Sequence, residues 1–211
     1  MASNRRSVNY LKRVDAKLAR IIDAVGAYRL QLRTDGSHFQ ALARAIVFQQ
    51  LSGKAAGTIF GRFNALYPAD DGATPDSVLA SSDEQLRSVG LSRQKIAYLK
   101  DLSTRVLSGE LPLEAVAFMG DDDLIAHLIQ VKGIGRWTAQ MFLMFRLGRP
   151  DVLPELDLGI QNAIKRAYRM RKRPTPKQVK KIGAKWSPHS SVACWYLWRS
   201  LDDGDGQLGA D

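Results

Sequence analysis

Val131-Lys132-Gly133-Ile134-Gly135-Arg136-Trp137-Thr138-Ala139 is the stretch on which the reading of this 211-residue chain turns. It separates two apolar-periodic segments, one carrying Leu124, Ile125 and Leu128 behind Asp121, the other running from Thr138 to Leu147. Two glycines one residue apart permit a tight hairpin with positive φ and close approach of another backbone, with Ile134 as the apolar plug between them. The next helix then opens on N–H groups with no side chain in front of them, a geometry that can hold a phosphate oxygen. A Gly-x-Gly by itself is equally an ordinary helix–helix turn. Its surroundings have to decide.

Helical periodicity extends in both directions, from Val8 to Leu201. Leu11, Val14, Leu18, Ile21, Ile22 and Val25 form one amphipathic stripe, and Phe39, Leu42, Ala43, Ile46 and Val47 form another. Ser52 caps a helix through Ile59 and Phe63 to Leu66, ended by Pro68 and Gly72. Ser81-Ser82 followed by Asp83 and Glu84 places a cap and first-turn acids on a short helix that stops at Gly90. Ser92 starts the next, with Ile96, Leu99, Leu102 and Val106 inward and Gly109 as the stop. Leu158–Tyr168, Thr175–Trp186 and Ser190–Leu201 complete the set. Runs of alternating apolar and polar residues are absent, so the expected fold class is all-α. Residues 1–201 are expected to form the helical core, with the hairpin at 124–147, and 202–211 a disordered acidic tail.

The composition, 45% hydrophobic and 25% charged, is that of an ordinary soluble protein. Apolar runs fall far short of the roughly 18 residues that a membrane span needs. The basic start, Met1-Ala2-Ser3-Asn4-Arg5-Arg6, leads into no apolar segment, so no signal peptide is expected. Cys194 is the only cysteine, which excludes an internal disulfide, a four-cysteine zinc site and a cysteine-ligated iron–sulfur cluster, and fits a reducing cytoplasm. His38, His127 and His189 are scattered and make no metal constellation. The net charge is +10, and eleven Lys or Arg with no acid lie between Gln161 and Arg199, leaving −1 for the rest. Such a block is the footprint of a polyanion partner or, equally, a set of solvated helix faces.

Twenty-two residues beyond Gly135 stands Asp157, within Val152-Leu153-Pro154-Glu155-Leu156-Asp157-Leu158-Gly159-Ile160. Hairpin, Gly/Pro-rich loop and Asp together resemble the helix-hairpin-helix DNA glycosylases, in particular the alkylpurine branch typified by 3-methyladenine DNA glycosylase II, in a compact form. Gln49-Gln50-Leu51-Ser52-Gly53-Lys54-Ala55-Ala56 is similar to the loop that branch inserts into DNA. Trp186-Ser187-Pro188, with Ala193, Tyr196, Leu197 and Trp198, is similar to its C-terminal helix. The resemblance spans about residues 37 to 201. It implies two helical lobes with an active-site cleft between them, and a monomer that binds double-stranded DNA with alkylated bases in the cytoplasm, nucleoid-associated if the source is bacterial.

The resemblance also implies roles, and each competes with a plainer one. Asp157 precedes a helix and would in any case serve as its N-cap. The helix end favours negative charge there, and an ionised carboxylate can stabilise an oxocarbenium-like sugar or orient the attacking water. Trp137 stands where bifunctional relatives carry the lysine that forms a Schiff base. As Trp it cannot do so, and it is either a packing residue or a pocket wall attracting a cationic base. Met141, one turn on, lines the same pocket. Leu51 is a wedge for the gap left by the flipped nucleotide, flanked by Gln50 and Ser52, or else a core leucine. Gly133, Gly135 and Thr138 offer N–H groups to the DNA backbone. The carbonyls of Ile129, Val131 and Ile134 map to a structural Na+ or K+ site; no other cofactor is implied. His189 departs from the family's aromatic residue and either stacks on the base or caps the last helix.

Two other functions remain open at this point. A non-catalytic helix-hairpin-helix DNA-binding protein explains charge and glycines but neither Asp157 nor Trp137. A glycosylase for oxidised or mispaired bases is disfavoured by the missing lysine and cysteines.

Overall fold

The computed structural model describes residues 2–68 and 72–202. Every regular element among them is helical. The first six helices are α1 (Ala2–Val14), α2 (Ala16–Val25), α3 (His38–Phe48), α4 (Gly53–Asn64), α5 (Pro75–Ala80) and α6 (Asp83–Ser88). Then follow α7 (Arg93–Leu107), α8 (Asp121–Leu128), α9 (Arg136–Phe145), α10 (Leu158–Ala167), α11 (Pro176–Gly183) and α12 (Ser190–Arg199), with single 3-10 turns at Leu113–Ala115 and Ala184–Trp186. The all-α expectation holds.

The described residues form two compact units: 2–32 with 143–202, and 33–142. In the first, α12 lies between α2 and α10 and is buried on all sides from Ser190 to Leu197. A helix covered all round must be apolar or small all round, and Ser-Ser-Val-Ala-Cys-Trp-Tyr-Leu meets that demand. In the second, the stripes Phe39, Leu42, Ile46 of α3 and Ile96, Leu99, Leu102 of α7 bury each other, with Val78 of α5 and Phe63 of α4 filling in.

Most helix starts follow their caps: Ser37, Ser52, Thr74, Ser82, Ser92, Asp157 and Thr175 each accept an N–H of the first turn. Three elements differ from the sequence expectation. The N-terminal stripe breaks into two helices because Asp15 accepts the N–H groups of Lys17 and Leu18 and starts α2 afresh. Helix α5 has a Thr74/Ser77 capping box and Pro75 in its first turn, but six residues are too few to show a 3.6-residue period. Helix α9 begins two residues before Thr138, at Arg136.

No described helix is long and apolar enough to cross a membrane. Of the expected tail, Asp202 pairs with Arg199 at 2.9 Å; residues 203–211 lie outside the described residues.

Candidate active site

Asp157 is built into the first turn of α10. With φ −68° and ψ 123° it caps the helix, and its Oδ1 accepts the Ile160 N–H at 2.7 Å. The same oxygen accepts a second bond, from Trp198 Nε1–H at 3.0 Å. Gly159 makes that second bond sterically possible: a Cβ there would stand 3.0 Å from both Asp157 Oδ1 and Trp198 Cδ1. The Trp198 indole is itself stacked on Phe145, with ring centroids 5.7 Å apart. Leu156 and Leu158, on either side of the carboxylate, are about half exposed. Sequence reasoning placed Trp198 on the last helix but gave it no role. The available signal was a glycine two residues past an N-cap Asp, where a helix otherwise prefers a side chain.

His189 stands just before α12, whose C-terminal half carries Trp198. It sits at the N-cap of α12 without a side-chain capping bond, and its ring packs edge-on against Tyr10, centroids 5.2 Å apart. Trp198 lies nine residues along the same helix, about 13 Å at 1.5 Å per residue. Beside His189 is Asp151, which accepts from Ser187 Oγ, Ser190 Oγ and the Ser190 N–H. Burial raises the Asp151 pKa, but these donors and the nearby His189 outweigh it and hold the carboxyl below its ordinary value.

On the other unit the hairpin is braced by α7. Gly133 takes φ +85°, and a Cβ on it would fall 2.2 Å from the Tyr98 ring, so both the conformation and the close approach require glycine. The neighbour is a side chain, not the second backbone that the sequence suggested. Gly135 does not share the positive φ; it is exposed and has open space where a Cβ would be, so it keeps the start of α9 uncovered. Asp101 accepts the Lys132 N–H at 2.9 Å and pairs with Lys132 and Arg105. Burial pushes its pKa up, but these contacts override that and leave it lowered. Thr138 is half-buried in the first turn of α9. The Val131 carbonyl accepts the Ile134 N–H at 3.0 Å, whereas the Ile129 and Ile134 carbonyls accept no hydrogen bond from the described residues.

Trp137 and Met141 lie one turn apart on α9, Trp137 46% exposed and Met141 half-buried. Gln50, Leu51 and Ser52 form the exposed link from α3 to α4. Leu51 is 40% exposed and is not a core residue, which removes the plainer reading of it. Gln50 adopts φ +56°, Ser52 caps α4, and Gln49 donates from Nε2 to the Gly133 carbonyl at 2.7 Å, tying this link to the hairpin.

The basic block is divided between cations paired to acids and cations left exposed. Lys180, Lys185 and Arg199 are paired with Glu155, Asp15 and Asp202. Arg169, Arg171, Lys172, Arg173, Lys177 and Lys181 are exposed and pair with no described acid. The first four follow the C-terminal end of α10, about 15 Å along the helix from the end that carries Asp157.

Residues 43–189 match the family described as HhH-GPD superfamily base excision DNA repair protein. The chain is 36% identical over 193 residues to DNA-3-methyladenine glycosylase 1 of Schizosaccharomyces pombe, a match covering 90% of this chain and 85% of that one. The structure of the S. pombe 3-methyladenine DNA glycosylase in complex with abasic DNA superposes with a TM-score of 0.82 at 34% identity, over 96% of this chain and 100% of the other. A DNA-3-methyladenine glycosidase from Bacillus halodurans superposes with a TM-score of 0.84 at 36% identity, over 93% and 89% of the two chains. On these grounds the chain belongs to the HhH-GPD superfamily of base excision DNA repair proteins, in the branch of the 3-methyladenine DNA glycosylases.

Proposed function

We propose that this protein is a monofunctional DNA glycosylase that flips alkylated purines, 3-methyladenine and 7-methylguanine, out of double-stranded DNA and hydrolyses their N-glycosidic bonds. The observation that carries the reading is Asp157: a carboxylate 22 residues beyond the hairpin, fixed by two N–H donors on one oxygen, in a chain of this family. Its place of work is the DNA of the cytoplasm, nucleoid-associated in a bacterium.

An alkylated purine already carries positive charge, so it departs with the glycosidic electron pair as a neutral base and needs little proton donation. The charge that develops is on the sugar, and the Asp157 carboxylate stabilises it. Water then adds to C1′ and loses its proton to the carboxylate or to solvent. Preorganisation matters because a carboxylate already held by donors reorganises little as charge develops. Trp137 offers its electron-rich face to the cationic base, with Met141 beside it. Leu51 fills the stack after flipping while Gln50 and Ser52 touch the bases left behind. Gly133, Gly135 and Thr138 present N–H groups to the DNA backbone. The carbonyls of Ile129, Val131 and Ile134 suit a hard monovalent cation, Na+ or K+, which when bound would add positive charge near the backbone phosphates. His189, which makes no side-chain capping bond to α12, is the third residue assigned to the base pocket.

The test is incubation with methylated duplex DNA and identification of the released bases, with Asp157→Asn alongside. Release of 3-methyladenine by the wild type is expected, with a loss of two or more orders of magnitude in the variant, since one electrostatic stabiliser of this kind is worth roughly 3–4 kcal/mol. Borohydride should trap no covalent protein–DNA complex, because no amine stands at position 137. An Asn variant that excises at nearly the wild-type single-turnover rate would refute the assignment.

A further inference from the structure

The link between α3 and α4 has little to hold it from within. It joins the last turn of α3, which leaves carbonyls without intrahelical partners, to the Ser52 cap of α4 in four residues. Its Gln50 sits in the left-handed region, a conformation that costs a non-glycine residue on the order of 1 kcal/mol and persists only where the surroundings enforce it. The enforcing contact comes from α7. Lys95 reaches across and donates from Nζ to the Val47 carbonyl at 2.6 Å and to the Gln49 carbonyl at 2.9 Å.

We propose that Lys95 is a positioning residue for the wedge: its ammonium clamps Val47 and Gln49, so that Gln50, Leu51 and Ser52 meet the duplex already in their inserting shape. The inference rests on the reading of Leu51 as the wedge given above. Three observations carry it. Lys95 forms no ion pair with a described acid and donates to the last turn of α3 and to the first residue of this link. A positive group at the C-terminal end of α3 also opposes the helix dipole there, so the clamp is electrostatically matched to its place. A second tie runs in parallel, since the side chain of the clamped Gln49 donates to Gly133 at the crown of the hairpin, where Tyr98 of the same α7 covers the glycine. One helix thus holds both elements proposed to meet DNA, through Lys95 for the link and through Tyr98 and Asp101 for the hairpin. Burial pushes the Lys95 pKa down, a desolvation that an exposed lysine would avoid.

An apolar wedge works by replacing lost base stacking, and the gain shrinks by whatever order the loop must acquire on insertion. A clamped loop has little left to lose. Removing the clamp should therefore harm insertion while sparing encounter with DNA.

The experiment uses the full chain and a duplex containing a tetrahydrofuran abasic analogue opposite 2-aminopurine, whose fluorescence rises when its stacking is disturbed. Lys95→Met keeps the stem and removes the donors, Lys95→Arg restores donors, and Leu51→Ala reports the wedge itself. Each variant is also measured for single-turnover release of 7-methylguanine, for affinity to undamaged duplex and for melting temperature. Lys95→Met is expected to lose about tenfold in the fluorescence step and in excision, the fraction of two charge-assisted bonds that bears on insertion rather than on folding, with undamaged-duplex affinity within about twofold. Lys95→Arg is expected to recover most of it. Gln49→Leu, which cuts only the second tie, should give a smaller loss of the same kind and stands in if Lys95→Met does not fold. If Leu51→Ala lowers the fluorescence step and Lys95→Met, or Gln49→Leu in its place, does not, the positioning role is overturned while the wedge stands. If Leu51→Ala itself changes nothing, the wedge reading fails and the positioning role falls with it.

Discussion

Replacing Trp198 by Phe takes away one atom that matters and little else. The phenyl ring can keep the stack on Phe145, but the indole N–H that Asp157 Oδ1 accepts at 3.0 Å is lost. The bond from the Ile160 N–H at 2.7 Å remains, so the carboxylate stays on α10 with one of these two donors gone. A hydrogen bond to a charged group contributes about 1.5–3 kcal/mol to stability. Only the part that differs between ground state and transition state reaches the rate. If about half of it does so, the barrier rises by roughly 0.8–1.5 kcal/mol, up to about tenfold in rate. The assay is single-turnover excision of 7-methylguanine with enzyme in excess, alongside affinity for an abasic-analogue duplex. The expected result is a step slowed by up to about tenfold with affinity unchanged within about twofold. In the double variant with Asp157→Asn, the Trp198 effect should vanish, because residues acting through one another are not additive. Wild-type rates in Trp198→Phe, or a full tenfold loss on top of Asp157→Asn, would refute the reasoning.

Two further outcomes follow from the same unit of the protein. Buried Asp15 accepts from Tyr168, from Trp186 Nε1 at 2.8 Å and from its own helix start, and pairs with Lys185 at 3.1 Å. Burial raises its pKa, but these donors overcome that and hold it below 3.8, so its stabilisation is present above the unfolded value and is lost as pH falls through the folded one. Asp15→Asn should therefore cost about 2 kcal/mol near neutral pH, roughly 4–8 °C in melting temperature, and should flatten the acid limb of stability below about pH 4; an unchanged acid limb would show that Asp15 does not set it. Replacing Arg171, Lys172 and Arg173 together by Ala should reduce the salt slope of undamaged-DNA binding by up to about 0.9 per lost phosphate contact. Excision by saturating enzyme should persist, given the distance from Asp157, and an unchanged slope would mean that these cations are only a solvated face.

The sequence by itself determined what depends on neighbours along the chain. Caps such as Ser52, Ser92 and Asp157 act over three residues and apolar stripes over seven or eight, so the all-α class and the placement of Asp157 at the head of a helix were legible without coordinates. The hairpin glycines were legible too, though only Gly133 proved to need its positive φ. Tertiary structure alone decided which distant side chains act on those positions. Trp198 is 41 residues from the Asp157 it holds, Lys95 is 46 and 48 from the carbonyls it clamps, and Trp186 is 171 from Asp15. The same distinction separated the exposed Leu51 from a core leucine and left His189 at the opposite end of α12 from Trp198. Periodicity tells which face of a helix is apolar, but many arrangements of the same short helices bury the same faces. Which indole or ammonium then lands within 3 Å of a given oxygen is set by the packing of whole helices against one another, and no local interaction encodes it.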